Sequence, residues 1–378
     1  MKLAIISHTE HYMTTDGTVV GLGATVTEIN HLLEVFDEIF HVAMLHSGDV
    51  PSNMLPYTSG RIKFIPIPAV GGHGLWDKLL ILKQAPRILY TVGKALKQCD
   101  YFQFRAPTGI GVFVIPYLMC CSVKQGWFKY AGNWGQAHPK FSYRFQRWLL
   151  KLQHRAVTIN GVWEHQPKHC LTFENPCLTL DEVAVAQQIV LEKQLANNRV
   201  DFCFVGRIEE AKGIGILFDA LDRLSPQSKS KIGTVHIVGD GRSIGLYKHK
   251  ASAIDLNIVF HGLLPRNAVH AIYMESHAIV LPSASEGFPK VIAEAMNYGC
   301  MPIVSNISAI GYYIRHLDNG FLLDSVTVEN LVVAIEHFLG LSNTNYMDMI
   351  RRGTKGIEKF TYSYYNGQIS SEILLFGK

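Results

Sequence analysis

Residues 201–221 read DFCFVGRIEEAKGIGILFDAL, and they contain the structural unit that decides the fold. A short, mostly apolar run of strand length, Asp201–Val205, ends at Gly206, and a helical pattern begins soon after Lys212. The same succession of apolar run, turn and helical pattern recurs along both halves of the chain. Because alternating strands and helices form right-handed βαβ units, the sequence predicts parallel sheets covered by helices.

The predicted strands are short and several are nearly continuous in apolar residues, as expected when helices cover both faces of a parallel sheet. In the first half they are Leu3–Ser7, His41–His46, Ile62–Ile67, Tyr101–Arg105, Trp127–Ala131 and Ala156–Asn160. In the second half they are Asp201–Val205, Thr234–Val238, Asn257–Phe260, Ala278–Leu281 and Met301–Ser305. We therefore predict an α/β protein with two doubly wound, Rossmann-like domains that face a cleft at the carboxyl ends of their strands.

Length and composition fit two domains. The chain has 378 residues, of which 48% are apolar and 17% charged, so it is an ordinary globular protein and too long for one typical core. A polar stretch, Glu174–Asn198, separates the two series of strands. We predict an N-terminal domain over 1–180, a C-terminal domain over 181–360, and a C-terminal helix over 361–378 that packs back on the N-terminal domain.

Composition also excludes several classes of function. A net charge of +4 is too small to indicate nucleic-acid binding. The longest apolar stretch, 109–121, contains Pro116 and is too short to span a bilayer, and the N-terminal MKLAIISHTEHY is typical of a first strand and not of a signal peptide. The seven cysteines form no CxxC pair, which indicates reduced thiols. We expect a cytoplasmic protein.

Residues 201–221 also contain the first candidates for a ligand-binding role. Arg207 follows the end of a strand directly, and Lys212 comes five residues later, before the next helix. Two cations on a strand-to-helix loop are suited to a diphosphate, whose charge needs neutralising when it departs as a leaving group. An ordinary solvated loop, with Glu209 and Glu210 paired to the cations, fits the spacing equally well.

Residues 283–299, SASEGFPKVIAEAMNYG, carry two acids around the start of a predicted helix. Glu286 lies in the loop before the helix, and Glu294 follows about a turn into it. Pro289 suits the first helical position, and Gly299 suits the residue after the helix end. Two carboxylates can accept hydrogen bonds from the hydroxyls of a hexose and a ribose. A solvated helix with two surface acids explains the same spacing.

Two glycine patterns need separate interpretation. Residues 235–245, VHIVGDGRSIG, superficially resemble a dinucleotide-binding fingerprint, but the next strand ends in FHG without the acid that would hold the ribose of a nicotinamide cofactor. A dehydrogenase is therefore rejected. Near the N-terminus, Gly21–Gly23 lie in a predicted loop between the first strand and a helix that starts around Ala24, where the backbone could approach a ligand. A plain connecting loop is the alternative.

Residues 141–156, FSYRFQRWLLKLQHRA, predict a basic amphipathic helix. The predicted cationic face holds Arg144, Arg147, Lys151 and Arg155, and the opposite, apolar face holds Phe141, Phe145, Trp148, Leu149 and Leu152. Such a helix can lie on anionic lipid, or it can pack its apolar face on the sheet with the cations solvated. Before it, Tyr130, Asn133 and Trp134 follow a strand end and are candidates for contact with an acceptor; interior packing of Trp134 is the alternative.

Together these residues resemble the retaining GT-B glycosyltransferases of family 4. The resemblance covers roughly 200–320 and rests on the order and spacing of GRIEEAKG, VGDG, FHG and the Glu-x7-Glu element from Glu286 to Glu294. In the N-terminal half, FRAPTGIGVFVIPYL followed by YAGNW is similar to a subgroup found in bacterial surface-polysaccharide clusters. The resemblance implies the GT-B fold and transfer of a hexose from a UDP- or GDP-sugar to a glycan or lipid-linked glycan.

The resemblance also implies roles for individual residues. Arg207 and Lys212 would hold the diphosphate and supply the charge stabilisation that a metal gives elsewhere, so no metal cofactor is expected. Glu286 would contact donor-sugar hydroxyls, and Glu294 would hold the ribose. The further donor-side positions are Gly206, Gly239, Gly241, the backbone of Gly287 and Phe288, and Gly21 and Gly23 near the phosphates.

One departure from the family concerns the acceptor side. Many members carry a His in the loop after an N-terminal strand, where this chain reads Tyr130-Ala131-Gly132-Asn133, so we assign no general base. Two other hypotheses are a non-catalytic protein that binds a nucleotide sugar and a GT-B epimerase of nucleotide sugars. The intact acids and cations favour the transferase over the first, and the carboxylate set that an epimerase needs was not found.

Overall fold

The computed structural model describes residues 1–72, 74–195 and 199–376. It divides into two compact units: unit 1 holds Met1–Pro176 together with the chain from Tyr362 onward, and unit 2 holds Cys177–Thr361. The predicted domain ends at 180 and 360 lie within a few residues of these divisions. Residues 196–198 of the predicted boundary stretch, and 377–378 of the predicted C-terminal helix, lie outside the described residues.

Unit 1 is built on a mainly parallel sheet. Its strands are β1 (Lys2–Met13), β2 (Val19–Leu22), β3 (Glu38–His46), β4 (Met54–Pro56), β5 (Ile62–Pro68), β6 (Tyr101–Ala106), β7 (Gln125–Tyr130), β8 (Val157–Ile159) and β9 (Cys170–Thr172). The parallel strands follow the order β5-β3-β1-β6-β7-β8-β9, while β2 pairs antiparallel with β1 and β4. The strand order therefore reverses between β1 and β6.

The start of the chain differs from the prediction. β1 does not end at Ser7: its register against β3 shifts between Ile6 and Glu10, and it continues into a hairpin with β2. Gly21 and Gly23 are therefore not in a strand-to-helix loop. Gly21 lies in β2 opposite His11, whose ring occupies the space that a side chain at Gly21 would need, and the helix begins at Gly23. The alternation of polar and apolar residues in this short hairpin was too brief to reveal it.

Helices cover both faces of this sheet. They are α1 (Gly23–His31), α2 (Leu75–Leu96), α3 (Gly111–Cys121) and α4 (Phe141–Leu152). α2, α3 and α4 bury Ile88, Val114 and Leu150 in one core cluster with β3, β6 and β7. α1 contributes Ile29 to a second cluster that contains Leu3 and Ile5 of β1. The sheet is thus buried on both faces, as the apolar composition of its strands requires.

Unit 2 contains a wholly parallel sheet in the order β12-β11-β10-β13-β14-β15. Its helices are α5 (Leu180–Glu192), α6 (Ile214–Arg223), α7 (Pro226–Ser230), α8 (Ile244–Ala251), α9 (Arg266–Glu275), α10 (Lys290–Asn297), α11 (Ile310–Tyr313), α12 (Val328–Leu339) and α13 (Asn343–Thr354). Its strands are β10 (Val200–Val205), β11 (Ile232–Val238), β12 (Asn257–Gly262), β13 (Ala278–Leu281), β14 (Met301–Ser305) and β15 (Phe321–Leu323). The order reverses between β10 and β13.

The α/β prediction with two parallel, Rossmann-like domains is confirmed. The strands that the sequence did not predict are β2, β4, β9 and β15, each too short to produce a readable pattern. The predicted start of α10 was wrong by one residue: Pro289 is the N-cap with φ −72° and ψ 123°, and Lys290 begins the helix. Gly299 follows the helix end at φ +69°, as predicted.

The C-terminal segment belongs to unit 1. α14 (Tyr362–Gln368) and a π-helical turn over Ile369–Ile373 place Tyr365 and Ile369 in the same core cluster as α1. The Asn366 side-chain amide donates to the His31 carbonyl at 2.8 Å and to Glu34 at 2.9 Å. Over 1–72, 74–195 and 199–376, no helix combines the length and the apolar character needed to cross a bilayer.

Candidate functional site

The crevice of unit 2 lies where its strand order reverses. The loops that follow β10 and β13 leave the carboxyl edge of the sheet on either side of this reversal, which is where ligands bind in doubly wound folds. A backbone hydrogen bond from Ala284 to the carbonyl of Ala211, at 2.9 Å, ties the two loops together. Residues of both loops are therefore held close to one another.

Lys212 and Glu286 meet across this crevice. The ammonium group donates to Oε1 of Glu286 at 2.5 Å, and the side chains are 25% and 9% exposed. A largely buried carboxylate needs a compensating charge, which Lys212 provides. The pair gives the crevice a cation for anionic oxygen and a carboxylate for hydroxyl groups. It joins two residues that the sequence predicted separately.

Gly213 makes this approach of the two loops feasible. Its φ is +75°, and a Cβ on it would lie 2.1 Å from the carbonyl oxygen of Pro282. A side chain would therefore force the loop after β10 away from the loop after β13. Because Gly213 directly follows Lys212, the same glycine fixes where the lysine enters the crevice.

Arg207 is on the same loop but extends into solvent. Its side chain is 72% exposed, and its nearest acid is Glu209 at 3.7 Å. Glu210 instead accepts a hydrogen bond from the Tyr247 hydroxyl at 2.7 Å. The alternative in which Glu209 and Glu210 neutralise both cations holds for Arg207, which pairs with Glu209. It does not hold for Lys212, which pairs with Glu286.

The predicted glycines lie at neighbouring strand ends. Gly206 donates to Val238 at 3.0 Å, and Gly239 donates to Gly262 at 2.8 Å. A Cβ on Gly239, which has φ +132°, would lie 1.9 Å from the Gly206 carbonyl oxygen, and one on Gly241 would lie 2.1 Å from that of Ile208. The backbones after β10 and β11 therefore pack without side chains between them, beside the Lys212 loop.

Phe288, which lies just before α10, has a buried side chain. The Phe288 ring is 3% exposed and packs against Tyr313 and Phe360, with ring centroids 4.7 and 5.1 Å apart. The Gly287 carbonyl accepts from Ala309 at 3.4 Å. Burial of the ring anchors the loop that carries Glu286, which is a positioning role the sequence did not suggest.

Glu294 lies in a second charged cluster within unit 2. It accepts from the guanidinium of Arg266 at 3.0 Å and from the Tyr273 hydroxyl at 3.4 Å, and its side chain is 12% exposed. Arg266 also pairs with Glu182 at 2.8 Å. Although burial opposes ionisation, the hydrogen bonds and charge of Arg266 lower the pKa of Glu182. Sequence reasoning missed Arg266; the Thr179-x-x-Glu182 capping box was a readable sign of its partner.

The acceptor-side candidates of unit 1 are mostly interior. Tyr130 and Trp134 are 2% and 4% exposed, and their rings meet edge to face at 5.0 Å. Arg147 donates to the carbonyls of Trp134 and Gln136 and holds the loop in place. Asn133 differs, because its Oδ1 is buried and finds no partner among the described residues. An exposed acceptor contact by the two rings is not present in this structure.

His8 is a candidate that sequence reasoning missed. It sits in the irregular part of β1, at the carboxyl edge of the unit 1 sheet and beside the reversal between β1 and β6. A Cβ on Gly109 would lie 3.3 Å from the His8 ring, and one on Gly71 would lie 3.5 Å away. Its buried Nε2 has no partner among the described residues, and burial lowers its pKa. The available signal was its position directly after the apolar run Leu3–Ser7.

Over the described ranges, no group of three or more His, Cys, Asp or Glu side chains is arranged to hold a metal ion. The candidate site consists of the crevice of unit 2 around Lys212 and Glu286, together with the Arg266–Glu294 cluster on the same unit. His8 and Asn133 each place a buried polar atom without a described partner at the carboxyl edge of the unit 1 sheet.

Comparison with known structures identifies the fold. The structure superimposes on Anabaena HepE, solved in complex with UDP and glucose, with a TM-score of 0.70 and 15% identity, over 99% of this chain and 100% of that chain. The chain has the GT-B fold that glycosyltransferases use.

Sequence comparison agrees with the fold. Residues 187–356 match the model of the family described as glycosyl transferases group 1. An Escherichia coli UDP-Gal:alpha-D-GlcNAc-diphosphoundecaprenol alpha-1,3-galactosyltransferase is 29% identical over 143 residues, 37% of each chain. A Salmonella typhimurium lipopolysaccharide 1,6-galactosyltransferase is 32% identical over 232 residues, 58% of this chain and 62% of that protein. Each of these relatives is matched over less than two thirds of its length.

Proposed function

We propose that this protein is a retaining glycosyltransferase that moves a hexose from a nucleoside-diphosphate sugar to a glycan or lipid-linked glycan in the synthesis of a surface polysaccharide. The observation that carries the proposal is the Lys212–Glu286 pair at the strand reversal of unit 2, inside the segment that matches the glycosyl transferases group 1 model. A cation and a carboxylate in one crevice suit a ligand with both a diphosphate and sugar hydroxyls.

The donor would bind through the loops of unit 2. Arg207 and Lys212 donate to the diphosphate, and Arg207 has the exposure to reach it. Glu286 accepts from hydroxyls of the hexose, next to the backbone of Gly287 and Phe288. Glu294, held by Arg266, accepts from the ribose. The bare backbone at Gly206, Gly239 and Gly241 leaves room for the nucleotide.

The chemistry follows from this distribution of charge. The bond between the anomeric carbon and the diphosphate breaks, and a bond to the acceptor oxygen forms on the same face of the sugar. The departing phosphate oxygen takes the acceptor proton, so no side-chain base is required. Arg207 and Lys212 stabilise the negative charge that develops on the leaving group, which makes a metal ion unnecessary in this proposal.

UDP is the first nucleotide to test. The Escherichia coli relative is named for UDP-Gal, and the HepE structure was solved with UDP and glucose. GDP is the alternative that the sequence left open. The names of the two relatives specify a diphosphoundecaprenol-linked and a lipopolysaccharide acceptor, which supports a lipid-linked or lipopolysaccharide glycan as the acceptor.

The acceptor side is proposed on unit 1. His8 and Asn133 present buried polar atoms without partners among the described residues, and a sugar hydroxyl can satisfy such atoms. His8 lies at the register shift of β1 and Asn133 follows β7, both at the carboxyl edge of the parallel sheet, where a doubly wound domain binds its ligand. Asn133 therefore replaces the rings of Tyr130 and Trp134 as the principal contact in this proposal.

A transfer assay tests the function. The protein is incubated with UDP-glucose, UDP-galactose and GDP-mannose, a bacterial lipid extract as acceptor, and EDTA throughout. The proposal predicts release of one nucleoside diphosphate and labelled hexose in the lipid fraction with the anomeric configuration of the donor. Nucleoside diphosphate release that requires a divalent cation, or a product of inverted configuration, would contradict it.

A further inference from the structure

The helical layer of unit 1 formed by α2, α3 and α4 has an unusual outer surface. Its inner side packs on the sheet through Ile88, Val114 and Leu150. Large apolar side chains on the opposite side are instead exposed to solvent. We name them the outer face: Trp76 (80% exposed), Leu79 (56%), Leu80 (50%), Leu82 (57%) and Tyr90 (74%) on α2, and Phe141 (76%), Trp148 (55%) and Leu152 (56%) on α4.

α4 explains how this surface arises. The sequence placed Phe141, Phe145, Trp148, Leu149 and Leu152 on one apolar face and left open whether that face packs on the sheet or lies on lipid. In the structure Leu149 packs against the core, whereas Phe141, Trp148 and Leu152 are exposed. Gln146 and Leu150 are buried instead, because the Gln146 side chain bonds the Thr108 backbone in both directions, accepting at 3.1 Å and donating at 2.8 Å. Phe141, Trp148 and Leu152 therefore lie on the side of α4 that faces away from the core.

Positive charge surrounds the outer face. α2, α3 and α4 carry seven Lys or Arg in sequence and a single acid, Asp77. Four cations were predicted on the basic face of 141–156. Two of them, Arg147 and Arg155, donate to backbone carbonyls of unit 1. The cations exposed beside the apolar residues are Lys83, Arg87, Lys94, Arg144 and Lys151, and within the described part of the chain none of these forms an ion pair.

We propose that the outer face docks on the surface of an anionic lipid bilayer. Tryptophan, tyrosine and phenylalanine side chains favour the headgroup level of a membrane, and Lys and Arg next to them are attracted by anionic headgroups. Both helices already pack on the protein core by their other side, so this docking requires no unfolding. The proposal does not depend on the donor site of unit 2.

A second copy of the chain fits this face poorly. A two-fold contact would bring the same patch of each copy together, and the exposed cations of the two patches would then repel one another, with Asp77 as the single acid in the sequence of these helices. An anionic membrane instead supplies the missing negative charge. Charge complementarity therefore selects the lipid surface as the occupant.

The test is vesicle flotation of the purified full chain. Vesicles of phosphatidylcholine with about 30% phosphatidylglycerol are compared with pure phosphatidylcholine, at low and high salt. We expect binding to the anionic vesicles that weakens with salt, and little binding to the neutral ones. All five tryptophans of the chain lie in unit 1, and Trp76 and Trp148 are strongly exposed, so binding should also shift the fluorescence to shorter wavelength.

Variants identify the surface. Arg144→Glu with Lys151→Glu should lower the partition coefficient at least about tenfold, and Trp76→Ser with Trp148→Ser should do the same and abolish the fluorescence shift. Lys355→Glu with Lys359→Glu changes the net charge equally on an exposed part of unit 2, and Leu246→Ser (66% exposed) removes an apolar side chain there. Both controls should bind like the parent protein.

Three results would overturn the proposal. The first is no flotation with anionic vesicles. The second is flotation that the unit 2 controls reduce as much as the outer-face variants do, which indicates non-specific charge attraction. The third is a concentration-dependent dimer, seen by analytical ultracentrifugation, that the Trp76 and Trp148 substitutions dissolve, which would assign the face to self-association. Circular dichroism of each variant confirms that it is folded.

Discussion

Lys212 forms an ion pair with Glu286 across the reversal of strand order in unit 2. One side chain comes from the loop after β10 and the other from the loop after β13, and Gly213 allows the two loops to touch. A lysine and a glutamate 74 residues apart in sequence thus form one ion pair. The proposed donor site is built around this pair, and most of the predictions below examine its members.

Glu286→Gln removes the negative charge but keeps the shape of the side chain. We expect turnover to fall by about 10²–10³, equivalent to roughly 3–4 kcal/mol of transition-state stabilisation, because the variant would lose the proposed contact of the carboxylate with donor-sugar hydroxyls. Steady-state release of nucleoside diphosphate measures this effect. Glu275→Gln, an exposed acid on α9, is the matched control. Unchanged turnover in Glu286→Gln would remove the residue from the site.

Arg207→Ala tests the diphosphate contact. The side chain is 72% exposed and packs little, so its loss should leave the fold intact while weakening binding of a nucleoside diphosphate by about 1.5–3 kcal/mol. Calorimetric titration of the variant gives the dissociation constant. Arg351→Ala, at a similarly exposed position on α13, should bind as the parent protein does. If Arg207→Ala kept its affinity, the assignment of the phosphates to this loop would fail.

Glu294→Gln separates ribose binding from a purely structural role. Arg266 keeps Glu182 as a partner in the variant, so we expect only a modest loss of stability, about 1 kcal/mol. Affinity for UDP should fall about tenfold, whereas inorganic pyrophosphate, which lacks a ribose, should bind unchanged. Equal weakening of both ligands would indicate that Glu294 acts only by supporting the structure.

Gly213→Ala tests the close approach of the two loops. The new Cβ would lie 2.1 Å from the Pro282 carbonyl oxygen in a backbone conformation at φ +75°, so we expect a loss of stability of roughly 2 kcal/mol or more and weaker nucleotide binding. Far-UV circular dichroism during heating measures the stability. Gly245→Ala meets no atom within 4 Å and lies in α8, so it should be neutral or slightly stabilising. A stable Gly213→Ala variant with normal binding would contradict this role.

Acid should destabilise unit 1. His11 is fully buried, its ring bonds Tyr57 at 2.8 Å, and burial lowers its pKa to about 4. The unfolded chain, with a histidine pKa of about 6.5, therefore binds more protons between these values. The contribution of neutral His11 to the free energy of unfolding is therefore present above about pH 6.5 and is lost as the pH falls towards 4. For His11 alone, the free energy of unfolding should fall by about 2 kcal/mol between roughly pH 7.5 and pH 5.

Urea unfolding followed by tryptophan fluorescence measures this effect, because all tryptophans lie in unit 1. His11→Phe keeps a ring against Gly21 and should reduce the loss of stability between the two pH values by about 2 kcal/mol. His165→Gln changes an exposed imidazole and should leave the pH dependence as it was. Equal pH dependence in His11→Phe and the parent protein would show that His11 is not the titrating group.

Regular elements with long apolar patterns were predictable from the sequence. β13 and β14 have the predicted ends because each is an almost wholly apolar run beside a predicted helix. The hairpin after β1 was not predicted, because the mostly polar residues 8–18 interrupt the apolar pattern, and Gly21 and Gly23 suggested a loop. Which side of α4 packs on the core could not be read from the sequence for a different reason: Gln146 is polar, yet its two hydrogen bonds to the Thr108 backbone accompany its burial.

The candidate site was predicted as separate motifs and not as a site. The sequence suggested Lys212 and Glu286 from local context, but their contact depends on the strand order, which no local pattern encodes. Arg266 was missed because its importance comes from two acids on other helices. His8 was missed because only the shift in the register of β1 brings it to the edge of the sheet.

The most direct measurement of the central claim is calorimetric titration of the purified protein with UDP, GDP and ADP in the presence of EDTA, with Lys212→Ala alongside. The account predicts selective binding of one nucleotide at micromolar concentration, weakened by about tenfold or more in the variant. Absence of binding to all three nucleotides, or equal binding by Lys212→Ala, would contradict a donor site around Lys212 and Glu286.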